Sequence, residues 1–406
     1  MHDTTLEKHG NPLMAHTDSN AHLADSPNRA YQVCSRCLMD TTDPLIEFDS
    51  SGFCNHCNSF RNNLGRLWHP DEQGRRSLER IIEQLRLSGK GRNYDCALGL
   101  SGGADSCYVA LKAAEWGLRP LVVHVDTGWN SEMAVSNIER LVKHCGFELH
   151  THVVDWEEMK DLQIAYLRSG IANQDVPQDH AIFAGLYNFC IRNGIRSILS
   201  GGNTATEGIF PDSWHGNAMD SVNLRAIHRA FGQVRLRQYP TISFWKLYAL
   251  YPLLLRMRTI RPLNYLPYDR DAAIAELQGA CGWKPYGRKH GESQFTKLFQ
   301  NHYLPQKYGY DKRRPHFSSM IVSGQITRDE AVRKLAEPLY ESEELAADID
   351  FLCNKLSITR ENYDEFISGP RRSYTEFSNW DSRYRVMKRV QQFVERVTGR
   401  RHGVYG

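Results

Sequence analysis

The sequence predicts an α/β protein built on a doubly wound parallel sheet, with a small metal-binding ribbon before it and a mostly helical region after it. Short apolar, β-rich runs alternate with amphipathic helical patterns through the middle of the chain. A Ser/Gly-rich turn joins the first of these runs to a helical pattern, and two Cys-x-x-Cys pairs lie upstream. These features predict a tail over 1–30, a ribbon over 31–62, a connecting helix over 63–90, the sheet domain over 91–270 and the helical region over 271–406.

Composition narrows the class of protein. With 406 residues, 41% of them hydrophobic, the chain can bury more than one core. Its 50 Lys and Arg against 47 Asp and Glu give a formal charge of only +3, which argues against a broad polyanion-binding surface, so we expect no nucleic-acid partner. Residues 1–30 are polar, without the apolar core of a signal peptide, and predict a mobile tail. The apolar run 244–255 is too short to span a bilayer and predicts a buried helix or hinge.

The ribbon rests on two Cys-x-x-Cys knuckles with sixteen residues between them, which offer Cys34, Cys37, Cys54 and Cys57 as ligands. This spacing can bring four thiolates tetrahedrally around Zn²⁺, and four thiolates leave no open position for catalysis. We therefore expect a structural zinc in a reducing cytoplasm. His56 in place of one cysteine, or an iron–sulfur cluster, stays an alternative.

The sheet is predicted from the alternation of patterns along the chain. The predicted strands are 96–100, 121–125, 149–154, 198–199 and a segment around Ile260, and the helices between them are 106–116, 134–145 and 180–193. A capping box at Thr327 predicts a helix from about Ala331, and further helices are predicted at 343–356, 360–368 and 380–398. In such a sheet, ligands bind outside the carboxyl ends of the strands.

The first of those ends is the glycine-rich loop. Its polar and glycine positions are Ser101, Gly102, Gly103, Asp105 and Ser106. The glycines can adopt positive φ and bring backbone N–H groups to an anion at the start of the next helix, while the serines add hydroxyl donors. The loop lacks the Gly-Lys-[Ser/Thr] ending of a Walker A motif, so it brings no lysine to the phosphates. The alternative is an ordinary strand-to-helix turn.

This Ser-Gly-Gly-x-Asp-Ser loop resembles the pyrophosphate-binding loop of the PP-loop ATPases. The resemblance implies that ATP, with Mg²⁺, is held by its β- and γ-phosphates on the loop. An acceptor oxygen then attacks the α-phosphate to give an adenylylated intermediate. Asp105 is expected to serve the loop geometry or Mg²⁺. Cys96 and Cys107, which flank the loop in apolar surroundings, are expected to be packing residues.

Two further strand ends offer site residues. Asp126 and Thr127 follow the second strand, where a nucleotide base and ribose would lie, although both residue types also form caps and turns. A second small-residue loop follows the fourth strand. We place Gly201 and Gly202 near the nucleotide, and Asn203 and Glu207 near the acceptor substrate, with a plain tight turn as the alternative.

The segment 283–328 is rich in polar, aromatic and basic residues. Lys307, Lys312, Arg313 and Arg314 are expected to close over pyrophosphate or a sugar diphosphate and to supply the charge that the loop lacks. In this interpretation the helical region completes the active site, and Lys307 and Arg313 act with Asp105 in catalysis. The alternative is a solvated basic turn.

Taken together, the four-cysteine ribbon, the Ser101–Ser106 loop and the Glu292–Arg328 segment resemble the N-acetyl sugar amidotransferases. That family acts in the biosynthesis of lipopolysaccharide O-antigens and of nonulosonic acids such as pseudaminic acid. The resemblance implies that an acetamido oxygen attacks ATP and that ammonia then displaces AMP to give an acetamidino group. It also implies that Glu292, Lys312 and Arg314 contact substrate.

The ammonia source is expected on a separate chain, because the sequence shows neither an N-terminal cysteine nor a Gly-x-Cys-x-Gly elbow. The resemblance suggests a partner like the glutaminase subunit of imidazole glycerol phosphate synthase, with a cyclase-like subunit as a second partner. The main rival is a PP-loop enzyme that thiolates tRNA, which the near-neutral charge disfavours. A zinc-ribbon scaffold without catalysis is a further alternative that the intact loop disfavours.

Overall fold

The computed structural model describes residues 29–214 and 216–398, and the side chains of 394–398 are not described. The predicted tail therefore lies almost entirely outside the described residues, as do the final basic residues of the chain. In the described residues, the central element is a five-stranded parallel sheet. Its strands are β1 Cys96–Gly99, β2 Pro120–Asp126, β3 Glu148–Val153, β4 Ser197–Leu199 and β5 Arg258–Ile260. The order across the sheet is β3-β2-β1-β4-β5.

All four strand pairings are parallel, with Leu98 opposite Val122 on one side and Leu199 on the other. Successive side chains of a strand point to opposite faces. Accordingly Ala97 and Val123 belong to one core cluster, whereas Leu98 and Val122 belong to another. A sheet that buries both faces needs helices on both sides, and the predicted doubly wound parallel sheet is confirmed.

The helices around the sheet follow the chain order. They are α1 Asn55–Leu67, α2 Glu72–Ser88, α3 Ala104–Glu115, α4 Glu132–Cys145, α5 Trp156–Ser169, α6 Val176–Arg192, α7 Thr204–Glu207, α8 Ser221–Phe231 and α9 Arg270–Cys281. Helices α3 and α9 pack on each other beside the core that contains Leu98, while α5 and α6 belong to the other core. Because these strands are parallel, the carboxyl ends of β1, β2 and β4 lie at one edge of the sheet.

The C-terminal region is helical, as predicted. Its helices are α10 Gln294–Leu298, α11 Leu304–Tyr308, α12 Arg313–Val322, α13 Arg328–Ala336, α14 Ser342–Leu356, α15 Arg360–Ser368 and α16 Asp381–Thr398. A π-helical turn, Phe299–Tyr303, joins α10 to α11. Thr327 caps α13 by accepting a hydrogen bond from the backbone N–H of Glu330, so the predicted N-terminal cap is present.

Two segments differ from the prediction. The stretch 63–90 is not one connecting helix: α1 begins inside the ribbon, and α2 starts anew after Asp71 caps it. The apolar run 244–255 contains a π-helix, Lys246–Leu254, that is far less buried than predicted, because Leu253 and Leu254 are 56% and 75% exposed. The sequence prediction also missed α5 and α8, whose apolar positions are interrupted by polar residues that the fold buries.

Buried carboxylates explain part of that interruption. Glu158 in α5 is 5% exposed and accepts hydrogen bonds from the backbone N–H groups of Arg237, Gln238 and Tyr239. Asp161, one turn later, accepts from the N–H groups of the 233–234 segment and from His228. These carboxylates hold an irregular loop against the helix, since buried N–H groups need acceptors. Within the described part of the chain, no helix combines the length and the apolar character needed to cross a bilayer.

Candidate active site

The Ser101–Ser106 loop runs from the end of β1 into α3, in the predicted strand–turn–helix context. Gly102 has φ of +89°, a conformation that other residues rarely adopt. The two serines brace the turn: their Oγ atoms lie 3.1 Å apart, and Ser106 Oγ donates to the carbonyl of Gly103 at 3.1 Å. The hydroxyls therefore shape the loop as well as offering donors.

The N-terminus of α3 lacks a side-chain cap, unlike that of α4. Ser131 accepts from the N–H of Ala134 at the start of α4, whereas Gly103 at the start of α3 has no side chain to do so. The first N–H groups of a helix without a cap are suited to an anion. The start of α3 is therefore suited to an anion, and Ser101 at the opening of the loop is exposed. Binding of pyrophosphate there stays a prediction.

Gly201, in the second small-residue loop, packs against the start of α3. A Cβ on Gly201 would lie 2.5 Å from the backbone nitrogen of Ser106 and 2.7 Å from the carbonyl carbon of Asp105. Any side chain here would push the two loops apart. The neighbouring Gly202 has ordinary room, since a Cβ on it would lie 3.6 Å from the nearest atom, Ser200 Oγ. The two predicted loops thus meet at the same edge of the sheet.

A segment from the start of the helical region covers the loop. Tyr286 donates from its hydroxyl to the carbonyl of Gly102 at 2.9 Å. The carboxylate of Glu292 lies so close to Gly103 that a Cβ there would be 2.9 Å from Glu292 Oε1. Burial acts to raise the pKa of Glu292, but the interactions with His290 and the charge of Lys289 hold it below its ordinary value. Glu292 is therefore an anion beside the loop.

Lys289 is a cation of this site that the sequence prediction did not name. Its Nζ donates to Glu207 Oε1 at 2.8 Å and lies 3.3 Å from Nδ1 of His316. Burial opposes ionisation of Glu207, but the charge and hydrogen bond of Lys289 dominate and lower its pKa to about 2. His316 Nδ1 lies 2.8 Å from the carbonyl of Thr206 and so carries the proton that it donates. Burial and the neighbouring lysine keep the pKa of His316 well below its usual range, so the ring is neutral.

Asp105 faces the same group of side chains. The hydroxyl of Tyr268 donates to Asp105 Oδ1. Burial raises the pKa of Asp105, and the negative charge of Glu207 acts in the same direction, while Lys289 acts against them. Asp105, Glu207 and Glu292 thus form an acidic rim around one lysine, an arrangement that a metal-bound polyphosphate would complement.

Lys312 lies beside a second pair of carboxylates, Asp175 and Asp179, at the start of α6. Its Nζ is 3.7 Å from the centre of the Phe210 ring. Burial lowers the pKa of Lys312 to about 8, although the two carboxylates act to raise it. Burial and the neighbouring charge of Asp175 raise the pKa of Asp179 to about 7. Thr296 Oγ1 donates to Asp175 at 2.9 Å and fixes that carboxylate.

The residues predicted after β2 form a local hydrogen-bonded turn. Asp126 accepts from the backbone N–H of Gly128 and from Asn130, and Thr127 donates to Gln178 at 3.4 Å. This is the turn role that the sequence analysis gave as the alternative. Contact of Asp126 and Thr127 with a nucleotide stays a prediction.

Asn203 and Glu207 lie at the second loop, and their contact with the acceptor substrate stays a prediction. Asn203 is 2% exposed and caps α7 through Oδ1, which accepts from Thr206. Its Nδ2 is buried with no hydrogen-bond partner among the described residues, so it is a donor available to a ligand. Glu207 pairs with Lys289, so its carboxylate belongs to the group of charged side chains around that lysine.

Three of the four predicted cations have structural partners instead. Lys307 is 3% exposed, and its Nζ donates to the carbonyls of Phe366 and Gly369 at the end of α15. Arg313 pairs with Asp311 and donates to carbonyls at the end of α13. Arg314 donates to the carbonyl of Leu38 and pairs with Asp40 in the ribbon. Helix carbonyls attract cations, and these contacts remove all three residues from the candidate site.

The residues that sequence reasoning missed are Lys289, His316, Tyr268 and the Asp175–Asp179 pair. A signal existed for Lys289 and His290, because a Lys-His pair lies between Gly287 and Gly291 in an irregular segment directly before Glu292. His290 has φ of +60°, an uncommon conformation that often accompanies a functional segment.

The ribbon brings its four cysteines together. The sulfur atoms of Cys34, Cys37, Cys54 and Cys57 lie within 4.8 Å of one another, and all four residues are fully buried. Backbone N–H groups of Cys54 and Cys57 point at sulfur atoms of the cluster. The donor set fits a tetrahedral zinc or an iron–sulfur cluster, and its identity stays a prediction. His56 pairs with Asp43 instead, so His56 is not the fourth ligand.

The parallel sheet, the uncapped glycine loop and the two loops that meet at one sheet edge define a doubly wound α/β fold with a candidate anion site at the start of α3. The comparison with protein families adds a second feature. Residues 292–391 match the family model described as "LPS biosynthesis protein WbpG-like, C-terminal domain". Residues 292–391 are therefore similar to a domain of a lipopolysaccharide biosynthesis family, and the resemblance to such a family is confirmed over these residues.

Solved structures with a similar fold are distant. NMN synthetase from Francisella tularensis is 15% identical, with 70% of this chain and 94% of that chain covered and a TM-score of 0.34. U34-tRNA thiolase NcsA from Methanococcus maripaludis is 15% identical, with 76% and 91% covered and a TM-score of 0.32. NAD+ synthetase from Burkholderia pseudomallei is 17% identical, with 56% and 99% covered and a TM-score of 0.26. No curated protein matches the chain.

Proposed function

We propose that this protein is an ATP-dependent amidotransferase that converts the acetamido group of a sugar into an acetamidino group. The amide oxygen forms a bond to the α-phosphorus of ATP while the bond to pyrophosphate breaks, which gives an imidoyl adenylate. Ammonia then adds to the imidoyl carbon, and AMP leaves with its oxygen. Activation is needed because an amide oxygen is a poor leaving group.

One observation carries the proposal: residues of the WbpG-like region and the segment just before it lie on the Ser101–Ser106 loop. Glu292 contacts Gly103, and Lys289 lies between Glu207 and His316. A domain described by its role in lipopolysaccharide biosynthesis thus shares one site with a pyrophosphate-type loop. This supports a sugar as the acceptor of the adenylyl group.

The side chains have distinct proposed roles. The N–H groups at the start of α3, with the hydroxyl of Ser101, bind pyrophosphate, and Lys289 supplies the positive charge that the loop lacks. Asp105 and Glu292 orient Mg²⁺ when it is bound with ATP. Asn203 donates from Nδ2 to the acceptor or the α-phosphate.

Lys312 is proposed to bind the acceptor side of the site. Its ammonium lies over the ring of Phe210 and within electrostatic range of the two carboxylates at the start of α6, so it can neutralise a phosphate of a sugar carrier. The ammonia is proposed to come from a separate glutaminase, similar to that of imidazole glycerol phosphate synthase. The cysteine ribbon is proposed to hold a structural zinc.

The test is pyrophosphate release from ATP by the full-length protein with ammonium salt and either a UDP-linked diacetamido sugar or bulk tRNA. Release with the sugar, together with a product in which NH replaces one amide oxygen, supports the proposal. Release with tRNA alone overturns it in favour of base modification. A Gly201→Ala variant controls for contaminating ATPases, because it disturbs the loop contact itself.

A further inference from the structure

Helix α16 exposes a row of apolar side chains. Val386, Val390 and Phe393 are 59%, 57% and 67% exposed, and their spacing of four and three residues places them on one face of the helix. The opposite face packs on the protein, because Tyr384 is 8% exposed and lies in a buried cluster with Phe244 and Trp380. The helix is thus anchored on one side and exposed on the other.

Exposed arginines flank this row. At about 100° per residue, Arg383 lies roughly 60° to one side of Val386, and Arg389 lies roughly 60° to the other side. Both arginines are exposed. The helix holds five basic and two acidic residues, so the polar borders of the apolar row are positive. An apolar stripe between cationic borders is the pattern of helices that lie in a membrane interface.

The π-helix beside α16 also exposes apolar side chains. The π-helix Lys246–Leu254 packs against α16 through Tyr248, whose ring lies 5.5 Å from that of Tyr384. Next to it, Trp245 is 65% exposed, and Leu254 is 75% exposed. Tryptophan is enriched where apolar and aqueous phases meet.

A second copy of the chain explains the surface less well. Three side chains in a single row offer on the order of 300 Å² of apolar area, whereas a stable interface needs about 800 Å² from each partner. Self-pairing would also place the arginine borders of both copies beside each other, and like charges repel. An anionic lipid surface requires no large protein interface, and its negative charge attracts the arginines.

We propose that the exposed face of α16 binds the surface of an anionic lipid bilayer. Val386, Val390 and Phe393 lie at the boundary between headgroups and acyl chains, and Arg383 and Arg389 contact lipid phosphates. The helix lies in the interface and does not cross the bilayer, in keeping with its charge. This proposal is independent of the proposed function.

The experiment is flotation of the full-length protein with vesicles of phosphatidylcholine alone or mixed with phosphatidylglycerol. We expect binding to the mixed vesicles that declines with added salt. Val390→Glu should reduce binding at least fivefold, and Arg383→Gln with Arg389→Gln on the order of tenfold. The matched control is Val332→Glu on α13, which is 43% exposed and should bind like the wild type.

Each other result overturns the proposal. The proposal is wrong if wild type binds neutral vesicles equally well or binds no vesicles at all. It is also wrong if Val390→Glu binds as well as wild type. If wild type forms a dimer in analytical ultracentrifugation that Val390→Glu dissociates, without vesicle binding, the face is a contact between copies. The arginine variants keep the apolar row, so they test the charge contribution even where Val390→Glu lowers the thermal midpoint.

Discussion

The sharpest prediction compares two lysines that the sequence alone does not distinguish. Lys289 lies beside the Ser101–Ser106 loop, whereas Lys307, which the sequence analysis placed in catalysis, caps α15. Replacement of each by methionine removes one charge and keeps a side chain of similar length. The two variants should therefore fail in opposite ways.

For Lys289→Met we expect a large kinetic loss and a modest loss of stability. Lys289 depresses the pKa of Glu207 to about 2, so the pair stabilises the fold above the unfolded pKa of 4.5, and this contribution disappears as the pH falls through about 2. The shift corresponds to about 3 kcal/mol, but the Glu207 side chain is 36% exposed, and screening reduces it to roughly 1–2 kcal/mol. Loss of a charge donor at the reacting phosphates should lower kcat/KM about 100-fold or more.

For Lys307→Met we expect the reverse. Its Nζ donates to the carbonyls of Gly369 at 3.0 Å and Ile367 at 3.4 Å, as well as to that of Phe366. Because the variant leaves these carbonyls buried without a donor, the free energy of unfolding should fall by roughly 2–4 kcal/mol. The thermal midpoint should fall by several degrees, while kcat/KM per folded molecule stays within about threefold of wild type.

The assay is coupled pyrophosphate release, with folded protein quantified by thermal unfolding and circular dichroism. Lys289→Arg should restore part of kcat/KM because it keeps the charge. If Lys307→Met abolished turnover without a change in thermal midpoint, or if Lys289→Met turned over normally, the assignment of the phosphate cation to Lys289 would be refuted.

Three further predictions follow from single contacts. Gly201→Ala should abolish pyrophosphate release and lower stability because its Cβ would lie 2.5 Å from the nitrogen of Ser106, whereas Gly202→Ala, with its nearest contact at 3.6 Å, should behave like wild type in both measurements. The kcat/KM for the nucleotide-linked sugar should decline as the pH rises through about 8, where Lys312 loses its proton, and Lys312→Arg should remove that alkaline decline if the lysine is responsible. Elemental analysis should find one zinc per chain, and Cys57→Ser should lower both zinc content and thermal midpoint; iron with visible absorbance instead would establish a cluster.

The sheet and the ribbon could be predicted because their signals are local. Each strand is a short run whose apolar side chains feed two cores, as Ala97 and Leu98 do, and each cysteine knuckle closes within four residues. The glycine loop is equally local, since a strand, a turn and a helix follow one another directly. Such patterns depend little on the rest of the fold.

The site cations could not be predicted in the same way because their destinations depend on distant contacts. Lys307, Lys312, Arg313 and Arg314 lie within eight residues, yet three of them bond to helix ends, to a nearby aspartate or to the ribbon. Lys312 instead interacts electrostatically with Asp175, Asp179 and Lys289. The chain leaves α11 at Gly309, with φ of +74°, and begins α12 after Lys312, so adjacent cations point in different directions. Charge density in a sequence marks a segment of interest, but the turn geometry decides which member reaches the ligand.

Helix α12 gives a physical reason for the ribbon and the active site to occur in one protein. His316, Ser319 and Ser323, spaced three and four residues apart, bond to the backbone of Thr206, Ile209 and Ala205 around α7.

Arg314 and Ser318, four residues apart, lie on another face of α12 and bond to the backbone of Leu38 in the ribbon. The ribbon has too few residues for a core of its own, so the cysteine cluster holds the surface on which α12 rests. A metal remote from the phosphate loop can thereby fix the loop that carries Asn203 and Glu207. Loss of metal should consequently weaken ATP binding through α12, even though no cysteine of the cluster lies among the proposed nucleotide contacts.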